Sequence, residues 1–188
     1  MALGPVDASH LELFRHLVPQ ARVYAEYGCG GSTRWALENT DATVITVESS
    51  PHWAKDLKRR VPKHLGRLIL MQPDIGIVDW DGRPMTYAKR ANFHRYIEGI
   101  WAQATNPDVI LVDGRFRVAC FLTAWLRSRP GTRILFDDFY TVATYHFLAE
   151  YMQPISREGR MAFFKVPKFL ENRSELVKVR DQFMMVTD

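Results

Sequence analysis

The chain has 188 residues, of which 47% are hydrophobic and 24% are charged. These values are those of an average globular domain, and they exclude a disordered polar chain or a domain too small to bury a core. The two cysteines, Cys29 and Cys120, have neither the number of a disulfide framework nor the spacing of a zinc site. We therefore expect a single domain over residues 1–188 in a cytoplasmic protein.

The formal net charge of +4 comes partly from a basic run at residues 55–67. Such a run usually forms the solvated face of a helix, and no aromatic residues interleave with it, which disfavours nucleic acid as a partner. No apolar run is long enough to cross a bilayer, and the first residues lack the pattern of a secretion signal. The sequence predicts no membrane partner and leaves a homodimer open.

A helix is predicted over residues 1–20, where it would pack on the core. Ser9 and Glu12 have the spacing of a capping box, and an apolar stripe through Phe14 ends at Pro19.

From residue 22 onward the sequence alternates between strand and helix patterns. Five strands are predicted, at residues 22–27, 42–49, 67–72, 107–114 and 132–140. Helices are predicted after them, from Ser32, from Ser50, over 87–104, from about 116 to Pro130, and over 142–152.

Residues 155–166 contain two extended runs separated by Glu158-Gly159, a pattern typical of an antiparallel hairpin. Alternation followed by a hairpin predicts an α/β fold, namely a doubly wound, mostly parallel seven-stranded sheet with an antiparallel C-terminal hairpin and one reversed edge strand. The tail from Glu171 fits a helix or a strand.

A glycine turn follows the first predicted strand, at Gly28 and Gly30. A strand, a glycine turn and a helix start together bind an anion or a polar ligand, because the first N–H groups of the helix have no internal partner. A nicotinamide dinucleotide site would have the pattern G-x-G-x-x-G, and here Thr33 stands at the third glycine position. The turn therefore argues against a dinucleotide.

Glu26 precedes this turn by two residues, as the acidic residue does in the first motif of the class I S-adenosylmethionine-dependent methyltransferases. The sequence resembles that family over residues 22–166, with Ser32 where the family commonly has a further glycine. The stretches "DIGIVDWDGRP" and "ILVDGRFRVAC" are similar to a bacterial group of methyltransferase-like proteins whose substrates are undefined. The resemblance implies a Rossmann-like methyltransferase fold and an S-adenosylmethionine cofactor.

Two further acidic residues match positions that this family uses for the cofactor. Glu48 corresponds to the carboxylate that accepts the ribose hydroxyls, and Asp74 to the residue that meets the adenine amino group. An acidic series also suits a cationic sulfonium better than a pyrophosphate. The resemblance implies a cofactor site at Glu26, Tyr27, Gly28, Cys29, Gly30, Ser32, Glu48, Ser49 and Asp74.

Three aspartates end the fourth and fifth predicted strands, so Asp113, Asp137 and Asp138 should share one rim of the sheet. Hard oxygen ligands of this kind suit Mg²⁺, which would bind a hydroxyl-bearing substrate, as in cation-dependent O-methyltransferases. Asp113 is the predicted catalytic residue. The alternative is that arginines neutralise the carboxylates in ion pairs. The candidate arginines are Arg115, Arg117 and Arg133.

Arg115 and Arg117 admit a second interpretation, in which they bind a carboxylate or phosphate of the substrate; a solvated helix start is the alternative. No N/D-P-P-Y/F motif ends the fourth strand, which favours oxygen over nitrogen as the methyl acceptor. The sequence thus predicts O-methylation of a small-molecule acceptor. The competing hypotheses are an NAD-dependent oxidoreductase and a non-catalytic cofactor-binding or interaction module.

Overall fold

The computed structural model describes residues 12–103 and 105–188. The strands within these residues are Val23–Tyr27 (β1), Thr43–Val47 (β2), Leu68–Met71 (β3), Val109–Val112 (β4), Arg133–Phe136 (β5), Ser156–Glu158 (β6) and Met161–Lys165 (β7). They form one seven-stranded sheet in the order β3-β2-β1-β4-β5-β7-β6, with β1 to β5 parallel. The predicted doubly wound sheet with an antiparallel C-terminal hairpin is confirmed.

The prediction of a reversed edge strand is wrong in one respect. The reversed strand is β7, and it lies between β5 and β6 rather than at the edge. The burial of the two hairpin strands explains this order, since Met161, Ala162 and Phe164 of β7 are buried while β6 carries polar, mostly exposed residues. A short polar strand is well suited to an exposed sheet edge.

Helices cover both faces of the sheet. Helices α1, α2 and α3 contribute to an apolar cluster on one face that includes Phe14 and Tyr24. Helices α4, α5 and α6 contribute to a cluster on the other face that includes Ala25 and Phe121. Tyr24 and Ala25 are neighbours in β1, so the two-residue period of the strand supplies both clusters. The helices are Glu12–Leu17 (α1), Gly31–Asn39 (α2), Pro51–Arg60 (α3), Phe93–Ile97 (α4), Arg117–Arg127 (α5) and Arg173–Phe183 (α6).

The described part of the opening helix begins at Glu12, and Phe14 is buried in it as predicted. Ser9 lies outside the described residues, so the capping box stays a prediction. The backbone N–H groups of Glu12 and Leu13 donate to the carboxylate of Glu158 at 2.6 and 2.9 Å, which ties the helix start to the hairpin.

Two of the predicted helices are not continuous α-helices in the structure. Within residues 87–103 the short α4 lies between 3-10 turns at Arg90–Asn92 and Gly99–Trp101. The second turn contains Gly99, which packs so closely on Val47 that a Cβ there would be 2.7 Å from its side chain. Residues 142–152 contain a 3-10 helix at Ala143–Glu150. The tail, which the sequence left open, forms α6. Among the described residues no helix combines the length and apolar content needed to cross a membrane.

Candidate functional site

A cleft of about 480 Å³ opens at the carboxyl ends of β1, β2 and β4. The predicted site residues that line it are Gly28, Cys29, Gly30, Ser32, Glu48, Ser49, Asp113 and Asp138. Further lining residues that the sequence did not predict include Trp53, Asp81, Arg83, Tyr96, Tyr145 and Asp188. The glycine turn and the ends of three strands therefore meet around one cavity, as the fold predicts.

The glycine turn lies directly against the loop after β4. Gly28 has a φ of +89°, and a Cβ at this position would lie 2.9 Å from the Cα of Gly114. Its N–H donates to the carbonyl of Val47 at 2.8 Å, which joins the turn to the end of β2. Only glycine satisfies both the backbone angle and the contact.

Glu26 lies beneath the turn and is almost completely buried. Its carboxylate accepts hydrogen bonds from the hydroxyls of Ser32 and Thr33, and the Thr33 oxygen accepts from the N–H of Gly30 at 3.0 Å. Burial raises the pKa of Glu26 to about 7. Glu26 thus stabilises the turn from below, and the position of the third dinucleotide glycine is filled by a buried threonine with a bonding role.

Glu48 ends β2 and borders the cleft, although it is only 5% exposed. Its Oε2 accepts from the N–H of Cys29 at 2.9 Å and its Oε1 from the N–H of Ser50 at 2.7 Å. Burial raises the pKa of the carboxyl, and these N–H groups act in the opposite direction. A carboxylate has about four acceptor positions, so Glu48 retains capacity for further hydroxyl donors.

A loop at residues 77–86 covers the β2 end of the cleft. The Ser49 hydroxyl donates to the carbonyl of Gly82 at 2.7 Å, and the indole N–H of Trp53 donates to the carbonyl of Trp80 at 3.0 Å. The loop therefore rests on the start of α3 and encloses the side of the cleft that contains Glu48.

Solved structures resemble the whole chain. A methyltransferase-like protein from Silicibacter pomeroyi DSS-3 has 29% sequence identity and a TM-score of 0.81, with 96% of each chain covered. The resemblance to the class I methyltransferases is confirmed. No protein-family model and no curated protein matches the sequence.

More distant methyltransferases share the fold. The O-methyltransferase TomG from Streptomyces achromogenes, solved in complex with S-adenosylmethionine, has 18% identity and a TM-score of 0.61, covering 86% of this chain and 81% of its own. An O-methyltransferase from Bacillus cereus, solved with S-adenosylhomocysteine, has 19% identity and a TM-score of 0.53, covering 93% and 69%.

Besides Glu26, which lies beneath the turn, two further predicted cofactor residues do not line the cleft. The Tyr27 hydroxyl is buried, donates to the carbonyl of Ile97 at 2.8 Å and accepts from the indole of Trp101 at 3.0 Å. The Asp74 side chain is 65% exposed and forms an ion pair with Lys89. Contacts of Tyr27 and Asp74 with a cofactor stay predictions.

The three aspartates of the methyltransferase-like fold meet at one rim, as predicted, but arginines join them. Arg117 pairs with Asp113 at 3.2 Å and with Asp138 at 2.9 Å, and Arg160 pairs with Asp137 at 2.6 Å. Among the described residues no three metal-ligating side chains form a cluster that could hold an ion. The predicted magnesium site at Asp113, Asp137 and Asp138 is therefore not supported, because guanidinium groups supply the countercharge.

The sequence identified one of the two arginines in this network. Arg117 was a candidate partner, whereas Arg160, which lies in the turn of the hairpin, was not. Arg133 donates instead to the side-chain oxygen of Gln20 at 3.1 Å. The buried Nε of Arg115 has no hydrogen-bond partner among the described residues, and this side chain lines the cleft.

Proposed function

We propose that the chain is an S-adenosylmethionine-dependent methyltransferase that acts on an oxygen atom of a small molecule. The observation that carries the proposal is the position of Glu48. Its carboxylate lies at the end of β2, beside the glycine turn and on the cleft surface, with acceptor capacity left for two hydroxyl groups.

The residues around the turn fit the adenosyl cofactor. Glu48 would accept from the ribose hydroxyls, and the turn from Gly28 to Ser32 would lie along the rest of the molecule. Glu26 would fix the shape of this turn through Ser32 and Thr33. The bound cofactor would supply an electrophilic methyl group on a sulfonium centre.

The acceptor half of the cleft lies toward the ends of β4 and β5. There Asp113 remains our candidate for contact with the substrate. Its carboxylate would accept a hydrogen bond from the hydroxyl group of the substrate, without a metal ion. Catalysis at such a site comes mainly from holding the acceptor oxygen in line with the methyl group. A cleft of about 480 Å³ suits a small molecule. Several structural neighbours are named O-methyltransferases, which supports oxygen as the acceptor.

An NAD-dependent oxidoreductase is the less favoured alternative. The pyrophosphate of NAD would lie along the glycine turn, beside the carboxylate of Glu48. Like charges at short range are unfavourable, whereas a sulfonium cation is attracted. Thr33 also fills the place at which the dinucleotide pattern has its third glycine.

Calorimetric titration of the purified protein with S-adenosylmethionine, S-adenosylhomocysteine and NAD tests this proposal. We expect both adenosyl compounds to bind with a stoichiometry of one and NAD to give no heat. Binding of NAD alone would refute the proposal. Transfer of labelled methyl groups to a panel of hydroxyl compounds, with matched amines as the comparison, then tests the preference for oxygen.

A further inference from the structure

The C-terminal segment of the chain returns to the cleft. Helix α6 packs antiparallel along α5, since Arg173 at its start donates from Nη1 to the carbonyl of Leu126 near the end of α5 at 3.0 Å. The segment after α6 reaches the opposite end of α5, where the N–H of Arg117 donates to Oδ1 of Asp188 at 2.9 Å. A carboxylate of the chain itself therefore lies in the acceptor half of the cleft.

Several groups hold the Asp188 carboxylate. Besides the N–H of Arg117, the Tyr145 hydroxyl hydrogen-bonds to it, and the charges of Arg117 and Arg115 favour its ionised form. Burial outweighs these contacts and raises the pKa of Asp188. The start of α5 adds its own attraction for a negative charge, because its first N–H groups lack partners within the helix.

Arg115 is an independent sign of an anion at this place. Its Nε is buried and has no hydrogen-bond partner among the described residues, and its side chain lines the same cleft as Asp188. A buried donor without an acceptor is costly, so native proteins rarely leave one without a purpose. The charge of Arg115 acts on the Asp188 carboxylate, so an anion at this place is favoured by Arg115 as well as by Arg117.

We propose that this region is a carboxylate-binding subsite for the acceptor and that Asp188 fills it when no acceptor is bound. The identification of the ligand as the methyl acceptor rests on the proposed function. The ligand is a carboxylate, because the groups of the subsite already hold the carboxylate of Asp188.

The segment that carries Asp188 is suited to displacement. Met185 and Val186 are 44% and 40% exposed. The segment is held by a hydrogen bond from the Tyr87 hydroxyl to the carbonyl of Met185 at 3.1 Å and by one from the N–H of Val186 to the carbonyl of Phe183 at 3.0 Å. Segments with little buried apolar surface open at low cost in free energy.

Chemical rescue tests the subsite. Thermal unfolding of the Asp188→Ala variant is followed in increasing sodium acetate, with acetamide and sodium chloride as matched additives. We expect acetate alone to raise the melting temperature of this variant saturably. For the same rise in melting temperature the wild type should need about tenfold more acetate, because the carboxylate of Asp188 competes with acetate for the subsite. Asp181→Ala, which removes an exposed carboxylate of α6, should behave as the wild type.

Equal responses of Asp188→Ala to acetate and acetamide would overturn the proposal, and so would an unchanged acetate response after Arg115→Gln is added. If Asp188→Ala folds poorly, the melting temperature of Asp188→Asn is compared in acetate and acetamide instead. The experiment contains no cofactor, so its outcome is separable from the titration with S-adenosylhomocysteine. Acetate rescue without cofactor binding would refute the proposed function alone, and cofactor binding without rescue would refute the subsite alone.

Discussion

Arg160 binds both carboxylate oxygens of Asp137, through Nε at 2.9 Å and Nη2 at 2.6 Å. The Asp137 side chain is 1% exposed and that of Arg160 is 21% exposed, so this bidentate pair is largely removed from water. Two parallel charge-assisted hydrogen bonds give such a pair both strength and fixed geometry. The rim of aspartates is thereby a structural ion network that joins the hairpin to the ends of β4 and β5.

Replacement of Asp137 is expected to destabilise the fold. Asp137→Ala removes the bidentate partner of Arg160 and leaves Asp138 at 3.2 Å as its remaining carboxylate, which costs roughly 2 kcal/mol in the free energy of unfolding. Urea denaturation measures this loss. Asp181→Ala, which breaks an exposed pair with Arg180, should cost less than about 1 kcal/mol.

A double-mutant cycle then isolates the pair. Arg160→Gln combined with Asp137→Asn should destabilise less than the sum of the two single changes, because neither variant group is left as an unpaired charge. Chelator should leave the melting temperature of the wild type unchanged, since arginines already neutralise these carboxylates. Strict additivity, or a fall of the melting temperature in chelator, would contradict the ion network.

The contact between Gly28 and Gly114 predicts a graded series of alanine variants. Gly28→Ala adds a Cβ at 2.9 Å from backbone and also places alanine at a φ of +89°, so we expect a loss of about 3 kcal/mol. Gly131→Ala has the same φ with open space around it and should lose only about 1 kcal/mol. Gly66→Ala, with neither constraint, should be near neutral. Equal losses for Gly28→Ala and Gly131→Ala would show that the backbone contact is absent.

The buried Glu26 predicts a dependence of stability on pH. Its pKa is raised from 4.5 to about 7, so between these values the folded protein keeps a proton that the unfolded chain has released. The free energy of unfolding should therefore fall as the pH rises through this window, by roughly 3 kcal/mol from this group. Glu26→Gln does not titrate and should show a correspondingly flatter profile in urea denaturation from pH 4.5 to 8.

Glu48 and Asp188 also have raised pKa values and add slope to the profiles of both proteins. The charge of Glu48 contributes to the raised pKa of Glu26, so the difference between the two profiles reports Glu26 together with its coupling to Glu48. Glu38→Gln, a change at an exposed carboxylate on α2, should reproduce the wild-type profile. Parallel profiles for the wild type and Glu26→Gln would contradict the assignment.

Most of the fold could be predicted from the strands. A strand pattern depends on the local alternation of polar and apolar residues, or on a short apolar run where both faces of the strand are buried. The helical segments at 87–104 and 142–152 were less predictable. In the first, the spacing of buried residues is helical, but the segment forms short α- and 3-10 turns, and Gly99 packs on Val47 of β2, a tertiary contact that local spacing does not predict. In the second, Tyr145 and Leu148 are buried three residues apart, a spacing that α- and 3-10 helices share.

The candidate site was likewise predictable only where it depends on local sequence patterns. Strand ends predicted that the glycine turn, Glu48 and the aspartates would meet, because parallel strands end at one edge. Only part of the countercharge was predictable, since Arg160 lies in the turn of the hairpin, whose strand β7 pairs with β5 rather than lying at the sheet edge that the sequence predicted. No local pattern marks Asp188, which reaches the cleft only because α6 packs antiparallel to α5.

The affinity of the Glu48→Ala variant for S-adenosylhomocysteine tests the central claim most directly. Loss of the carboxylate removes the acceptor of two ribose hydroxyls, each bond being worth roughly 1.5 to 3 kcal/mol, so calorimetry should show binding weakened by at least about a hundredfold. Glu38→Ala should bind as the wild type does, and Glu48→Gln should lie between the two. An unchanged dissociation constant in a folded Glu48→Ala protein would contradict the placement of the cofactor in this cleft.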